Sequence, residues 1–174
     1  FLTFMPTADE YGAGYSDFTF QVVDDDGVAL GGQDTDQTPN TMLIDVVQVN
    51  DAPVSADNTI TTNEDTAYTF TGTEFFFSDP ADAATGTLDN LQAIRIATLP
   101  PRGTLYLAVG ASVPGAVVAG QYISVADLPF LTFMPSPDGK GAGYGTFTFQ
   151  VQDDGGTANG GVDLSAVRTM NVDV

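Results

Sequence analysis

The chain has 174 residues, with 23 Asp and Glu against four Lys and Arg, and its formal net charge is −19. This charge repels phosphate backbones and anionic lipid surfaces, so it argues against nucleic-acid binding and direct membrane insertion and favours cations as partners. The sequence contains no Cys and no His, which removes disulfides, thiol chemistry and the commonest general base. We therefore expect a folded protein that is not an enzyme.

The beginning of the chain is repeated near its end. Residues 1–32 align without gaps with residues 130–161, and 22 of these 32 positions are identical. A period of about 130 residues is the size of a domain and far exceeds the 20–50 residues of a solenoid repeat. We therefore predict that residues 1–49 are the C-terminal half of one domain and residues 50–174 a complete domain. The chain is expected to be a piece of a longer array.

Alternating apolar and polar residues, separated by Gly, Pro and Asp, predict short β-strands along the whole chain. The predicted strands are 18–22, 58–62, 67–71, 92–97, 104–107, 121–125, 131–133, 147–151 and 168–174. Residues 72–77 suggest one helical turn whose phenylalanines close an end of the core. About seven short strands in a domain of this length predict an all-β fold, a Greek-key β-sandwich of the immunoglobulin-like kind.

Acidic residues fall in the loops that such a sandwich places at one end. These residues are Asn50 and Asp51 in the incoming linker, Asp79 and Asp82 after the second strand, and Asp153 and Asp154 between the last two strands. Asp9 and Glu10 of the first unit are expected to face them from the other side. Carboxylates that converge in this way repel one another unless a cation bridges them, and hard oxygen ligands suit Ca²⁺. The alternative is that they are solvated turn acids.

The order of these motifs resembles a known family. The linker Val47-Gln48-Val49-Asn50-Asp51-Ala52-Pro53 is similar to cadherin linkers, and more closely to the VNDAP junctions of bacterial cadherin-like tandem repeats in large secreted adhesins of the RTX type. The Glu64-Asp65-Thr66 segment, the Asp79 and Asp82 pair and the ending from Phe133 to Gly155 follow in the family's order. The resemblance covers essentially the whole chain.

The resemblance implies calcium between repeats, with neighbouring repeats of the same protein as partners. It also implies further metal ligands at outer junctions, for which Glu64, Asp24 and Asp25 are the candidates, since Asp24–Asp26 match Asp153–Asp154 in the other copy. The implied function is that of an extracellular, cell-surface structural and adhesion module, with homophilic contacts. Two alternatives stay open: a polysaccharide-binding module, and a subunit of a filament or surface layer that a neighbouring chain completes.

Overall fold

The computed structural model describes residues 1–25, 27–86 and 88–174; Asp26, grouped above with Asp24 and Asp25, lies outside the described residues. The chain forms two compact units, Phe1–Gln48 and Val49–Val174, and each is described by itself. The interpretation of these units as half a repeat and a whole repeat stays a prediction.

The first unit is built on a two-stranded antiparallel sheet of β1 (Gly12–Phe20) and β2 (Asn40–Val46). The long connection between them folds back on itself, because the Asp24 N–H donates to the Asp34 carbonyl and the Asp36 N–H to the Val22 carbonyl, both at 2.8 Å. None of the described residues of this unit is buried. The unit therefore has regular hydrogen bonds and no core of its own.

Within its described residues, the second unit contains nine strands and one short helix. In chain order these are β3 (Asn58–Thr61), β4 (Tyr68–Thr69), α1 (Pro80–Thr85), β5 (Leu91–Thr98), β6 (Thr104–Leu107), β7 (Gly115–Ala116), β8 (Tyr122–Ser124), β9 (Leu131–Met134), β10 (Gly145–Asp153) and β11 (Arg168–Asp173). Single 3-10 turns occur at Leu128–Phe130 and Ala158–Gly160, and in the first unit at Ala29–Gly31.

The strands of the second unit form two sheets. One has five strands in the order β3-β11-β10-β5-β8, and the other has four in the order β4-β9-β6-β7. The β3–β11 pair is parallel, and the other paired strands are antiparallel. The central strand β10 is bonded along both edges, to β11 and to β5, which fixes its last residue, Asp153, at one end of the sheet.

Both sheets contribute to one hydrophobic core. Alternate residues of β10, namely Phe147, Phe149 and Val151, are fully buried, as the period of two in the sequence predicts. The rings of Phe147 and Phe149 meet Phe70 and Phe75 edge-on, with ring centroids 6.1 and 4.9 Å apart. Each buried phenylalanine stabilises the fold by about 1.5–3 kcal/mol relative to an exposed one. The prediction of an all-β protein is confirmed.

The helical part of the sequence prediction requires correction. Residues 72–77 form a turn closed by a hydrogen bond from Phe75 N to the Gly72 carbonyl (3.2 Å), in which Phe75 is buried and Phe76 is exposed. The helix is α1, further along the chain. It has Pro80 in its first turn and ends at Gly86, whose φ of 92° is the left-handed conformation that favours glycine at a helix C-terminus.

Candidate metal centre at one end of the second unit

The linker segment that opens the second unit is attached to the loop after β10. The Asn50 side-chain amide donates to Asp153 Oδ1 (3.0 Å) and to the Val162 carbonyl (2.9 Å), and the Val162 N–H donates back to the Asn50 carbonyl (2.9 Å). These three bonds hold Asn50 beside a carboxylate that is 1% exposed. The predicted neighbours Asn50 and Asp153 therefore do meet.

The start of α1 brings two further carboxylates to the same place. Asp79 precedes the helix and Asp82 lies in its first turn, and the two are 8% and 1% exposed. The Asp51 N–H donates to Asp82 Oδ2 at 3.0 Å, so the linker contacts the helix as well as the β10 loop. The structure thus gathers Asn50, Asp51, Asp79, Asp82 and Asp153.

Asp89 joins this group and was not among the sequence candidates. Carboxylate oxygens of Asp79, Asp82 and Asp89 all lie within 4.8 Å of one another. Asp89 is in the connection that leads from α1 into β5. Because that connection is only five residues long, Asp89 must stay near the helix, and only a prediction of α1 could have located it from the sequence. The acidic cluster below means Asn50, Asp51, Asp79, Asp82, Asp89 and Asp153.

Several oxygen atoms of the acidic cluster are buried without a hydrogen-bond partner among the described residues. They are both carboxylate oxygens of Asp79, Oδ2 of Asp153 and Oδ1 of Asn50. Buried polar atoms in native proteins are nearly always hydrogen-bonded, and an unpaired one costs about 1–3 kcal/mol. Four such atoms at one place could accept ordered water or a bound cation.

The electrostatics of the cluster disfavour its negative charges. Burial raises the pKa of Asp79, and the nearby charges of Asp82, Asp153 and Asp89 add to this effect. The nearby Asp82 N–H has the opposite effect and tends to lower the pKa of Asp79. Burial likewise raises the pKa of Asp153. Burial also raises the pKa of Asp89, and the nearby charges of Asp82 and Asp154 raise it further. A divalent cation would reverse these penalties.

Asp154 bonds to the loop that carries Asp89, and its predicted role as a metal ligand stays a prediction. It is exposed, and its carboxylate accepts a hydrogen bond from the Asn90 N–H at 2.7 Å. That bond lowers its pKa. Asp154 therefore fixes the loop that carries Asp89, and its charge acts on Asp89 from close by.

The remaining candidates lie outside the acidic cluster. Glu64 follows β3 at the opposite end of the five-stranded sheet from Asp153, and pairs with Lys140 at 3.5 Å on the surface. Asp9 and Glu10 belong to the first unit, where Glu10 accepts a hydrogen bond from the Tyr15 hydroxyl. Asp24 and Asp25 also belong to the first unit, in the connection after β1. Their roles as metal ligands stay predictions.

Comparisons with known proteins add no family to these observations. No protein-family model matches the chain, and neither the curated proteins nor the solved structures give a match. In the described ranges, no helix combines the length and the apolar character that crossing a membrane requires. The all-β fold and the acidic cluster are the features from which a function must be argued.

Proposed function

We propose that the second unit is a calcium-binding, cadherin-like β-sandwich module of an extracellular tandem-repeat surface protein, without enzymatic activity. The observation that carries the proposal is the set of buried, unpartnered oxygens in the acidic cluster. An acidic surface alone would not require them, because solvated carboxylates bond to water at no cost.

The donor atoms of the cluster suit calcium. Ca²⁺ takes six to eight oxygens in flexible geometry, from carboxylates, amide carbonyls and water. Asp79, Asp82, Asp89 and Asp153 would supply carboxylate oxygens and Asn50 its free amide oxygen. With no His and no Cys in the chain, a site for a transition metal has no soft or nitrogen ligands.

The topology of the second unit supports the cadherin-like interpretation. A parallel β3–β11 pair beside an otherwise antiparallel five-stranded sheet, with β9 and β10 in different sheets, is compatible with a Greek-key sandwich. The internal repeat supports tandem copies as neighbours. An extracellular location agrees with a fold without cysteine that gains rigidity from a metal.

The action of such a module is mechanical. Bound calcium supplies positive charge between carboxylates that otherwise repel one another. Asn50 and Asp51 tie the incoming linker to the β10 loop and to α1, so loading the cluster would immobilise the chain that joins one repeat to the next. Without the ion, the same charges favour opening of these contacts.

A binding titration tests the proposal. Calcium added to metal-free protein should bind with a dissociation constant of about 10⁻⁴–10⁻³ M, the range of extracellular modules, and Mg²⁺ should bind more weakly because it demands a small octahedral shell. Binding should also slow amide exchange in residues 49–53. In Asp153→Asn the affinity should fall at least about 10-fold, while the matched control Asp34→Asn, in the first unit, should bind as wild type does. Equal calcium affinity in all three proteins would contradict the assignment.

A further inference from the structure

The first unit repeats the hydrogen-bond pattern of residues 130–174, although it lacks their core. The Asp45 carboxylate accepts from the Gly14 N–H as Asp173 does from the Gly143 N–H, both at 2.6 Å. The Gln21 amide donates to the Asp36 carbonyl as the Gln150 amide does to that of Ser165, both at 2.7 Å. Further equivalent bonds run from Asp24 N to Asp34 O and from Asp153 N to Asp163 O. The two segments are thus the same substructure.

The apolar side chains of this substructure are exposed in the first unit and buried in the second unit. In the first unit the exposed fractions are 85% for Leu2, 46% for Phe4, 38% for Phe20, 59% for Val22 and 48% for Met42. Their counterparts Leu131, Phe133, Phe149, Val151 and Met170 are all 0% exposed. The exposed set is called the open face below. An exposed apolar set of this size marks an interaction surface.

The second unit shows what covers such a face. Residues 49–129 provide β5, which pairs with β10 and places Ile96 opposite Phe149 and Ile94 opposite Val151. They also provide β4 and β6, which pair with β9 on either side. In the first unit, within the described residues, β1 pairs only with β2, and residues 2–5, the counterpart of β9, form no strand. The open face lacks both the covering sheet and the edge partner.

We infer that the open face is the docking site for a polypeptide segment equivalent to residues 49–129, continuous with Phe1 as Pro129 is with Phe130. A second copy of this chain fits the open face less well than such a segment does. Each chain has two C-terminal halves and one covering segment, and that segment already covers residues 130–174. Exchange between copies cannot change this count, so it always leaves one half per chain open. The inference does not depend on calcium.

Adding the missing segment tests this inference directly. A second copy of residues 49–129 is fused in front of Phe1. Because residues 2–5 and 18–22 are identical in sequence to residues 131–134 and 147–151, amide exchange is followed in longer peptides that include a residue at which the copies differ, such as Thr7 or Asp17. In the fusion, exchange at residues 2–5 and 18–22 should slow by at least about 1,000-fold relative to the original chain, because these residues become part of a cooperative core. Slow amide exchange in residues 130–174 shows in every sample that the second unit is folded.

The matched control is the same fusion with Ile94→Asp and Ile96→Asp in the added copy only. It should leave residues 2–5 and 18–22 exchanging as in the original chain. If the unmodified fusion also fails to protect them while residues 130–174 stay protected, the inference is wrong. It is equally wrong if the original chain already protects residues 1–48 in a concentration-dependent manner as its mass doubles, since the occupant is then a second copy.

Discussion

Two buried carboxylates of the second unit differ sharply in their surroundings. Asp79 is buried with neither oxygen bonded to a described residue, whereas the Glu74 carboxylate accepts from the Tyr68 hydroxyl at 2.8 Å, from the Gly72 N–H at 2.9 Å and from Thr71. Burial is expensive for a charge unless it is paired or hydrogen-bonded. Glu74 thus serves the fold, and Asp79 is the carboxylate that we propose as a calcium ligand.

Asp79→Asn separates these two roles. Because the substitution removes a buried, uncompensated charge at nearly constant volume, the free energy of unfolding without metal should rise by about 1 kcal/mol. Calcium affinity should fall at least about 10-fold. Urea unfolding in chelator and calorimetric titration measure the two effects, with Asp34→Asn as the control. A loss of stability in chelator would show that the Asp79 charge has a partner within the protein.

The pH dependence of stability tests the role of Glu74. Burial tends to raise its pKa, but hydrogen bonds from Tyr68 and Thr71 outweigh burial, and the pKa of Glu74 lies below its ordinary value of 4.5. Burial is the main reason that the pKa of Tyr68 is raised to about 12, and the hydrogen bond to Glu74 adds to it. A lowered carboxyl pKa stabilises the folded state above pH 4.5, and this contribution disappears as the pH falls through the folded-state value.

Glu74→Gln should therefore lower the free energy of unfolding by about 1–2 kcal/mol at pH 7. Below pH 4.5 the difference from wild type should shrink, because wild-type Glu74 then becomes protonated too. Urea unfolding of both proteins in chelator at pH 7 and pH 3 measures this change. A difference that is constant with pH would mean that the ionised carboxylate contributes nothing.

At the scale of elements, the loop after β10 is fitted around the Asn50 side chain. Gly155 has no left-handed φ, so its conformation is open to other residues, but a Cβ at this position would overlap the Asn50 amide. The Gly155 N–H donates to Asp153 Oδ1 (3.0 Å), the same oxygen that Asn50 contacts. Glycine is required here by the close approach of the linker.

Gly155→Ala should displace Asn50, lower the free energy of unfolding by about 1–3 kcal/mol and weaken calcium binding. In an Asn50→Ala background the obstacle is absent, so the same substitution should cost less than about 0.5 kcal/mol. A double-mutant cycle by urea unfolding measures the difference. Equal costs in both backgrounds would mean that the loop and the linker are not in contact.

Much of the fold and part of the site could be predicted from the sequence. The period-2 pattern of β10 locates a buried central strand because every second residue faces the core. The sequence also predicts that Asp79 and Asp153 lie at the same end of the sandwich, and in the structure the charge of Asp153 acts on Asp79. Helix α1 escapes prediction because six residues give no helical period. Asp89 escapes prediction because its place depends on that helix. Glu74 escapes prediction because two of its partners, Thr71 and Gly72, lie in a turn that its own carboxylate holds together.

At the scale of the whole molecule, a net charge of −19 penalises folding through self-repulsion, and the acidic cluster concentrates this penalty within the second unit. A cation that binds only the folded state offsets it by mass action. The central claim is therefore that calcium binding stabilises the folded state of the second unit. It can be tested without a partner protein or a known adhesion target.

Thermal unfolding of the second unit within the intact chain, in calcium and in chelator, is the most direct test. Calcium at about 100 times its dissociation constant should add about 2.7 kcal/mol to the free energy of unfolding and raise the Tm by about 5–10 °C. Equal Mg²⁺ should raise it much less, and Asp79→Asn should lose most of the calcium effect. A Tm that is the same in chelator and in calcium at 100 times the expected dissociation constant, about 10–100 mM, would contradict the account.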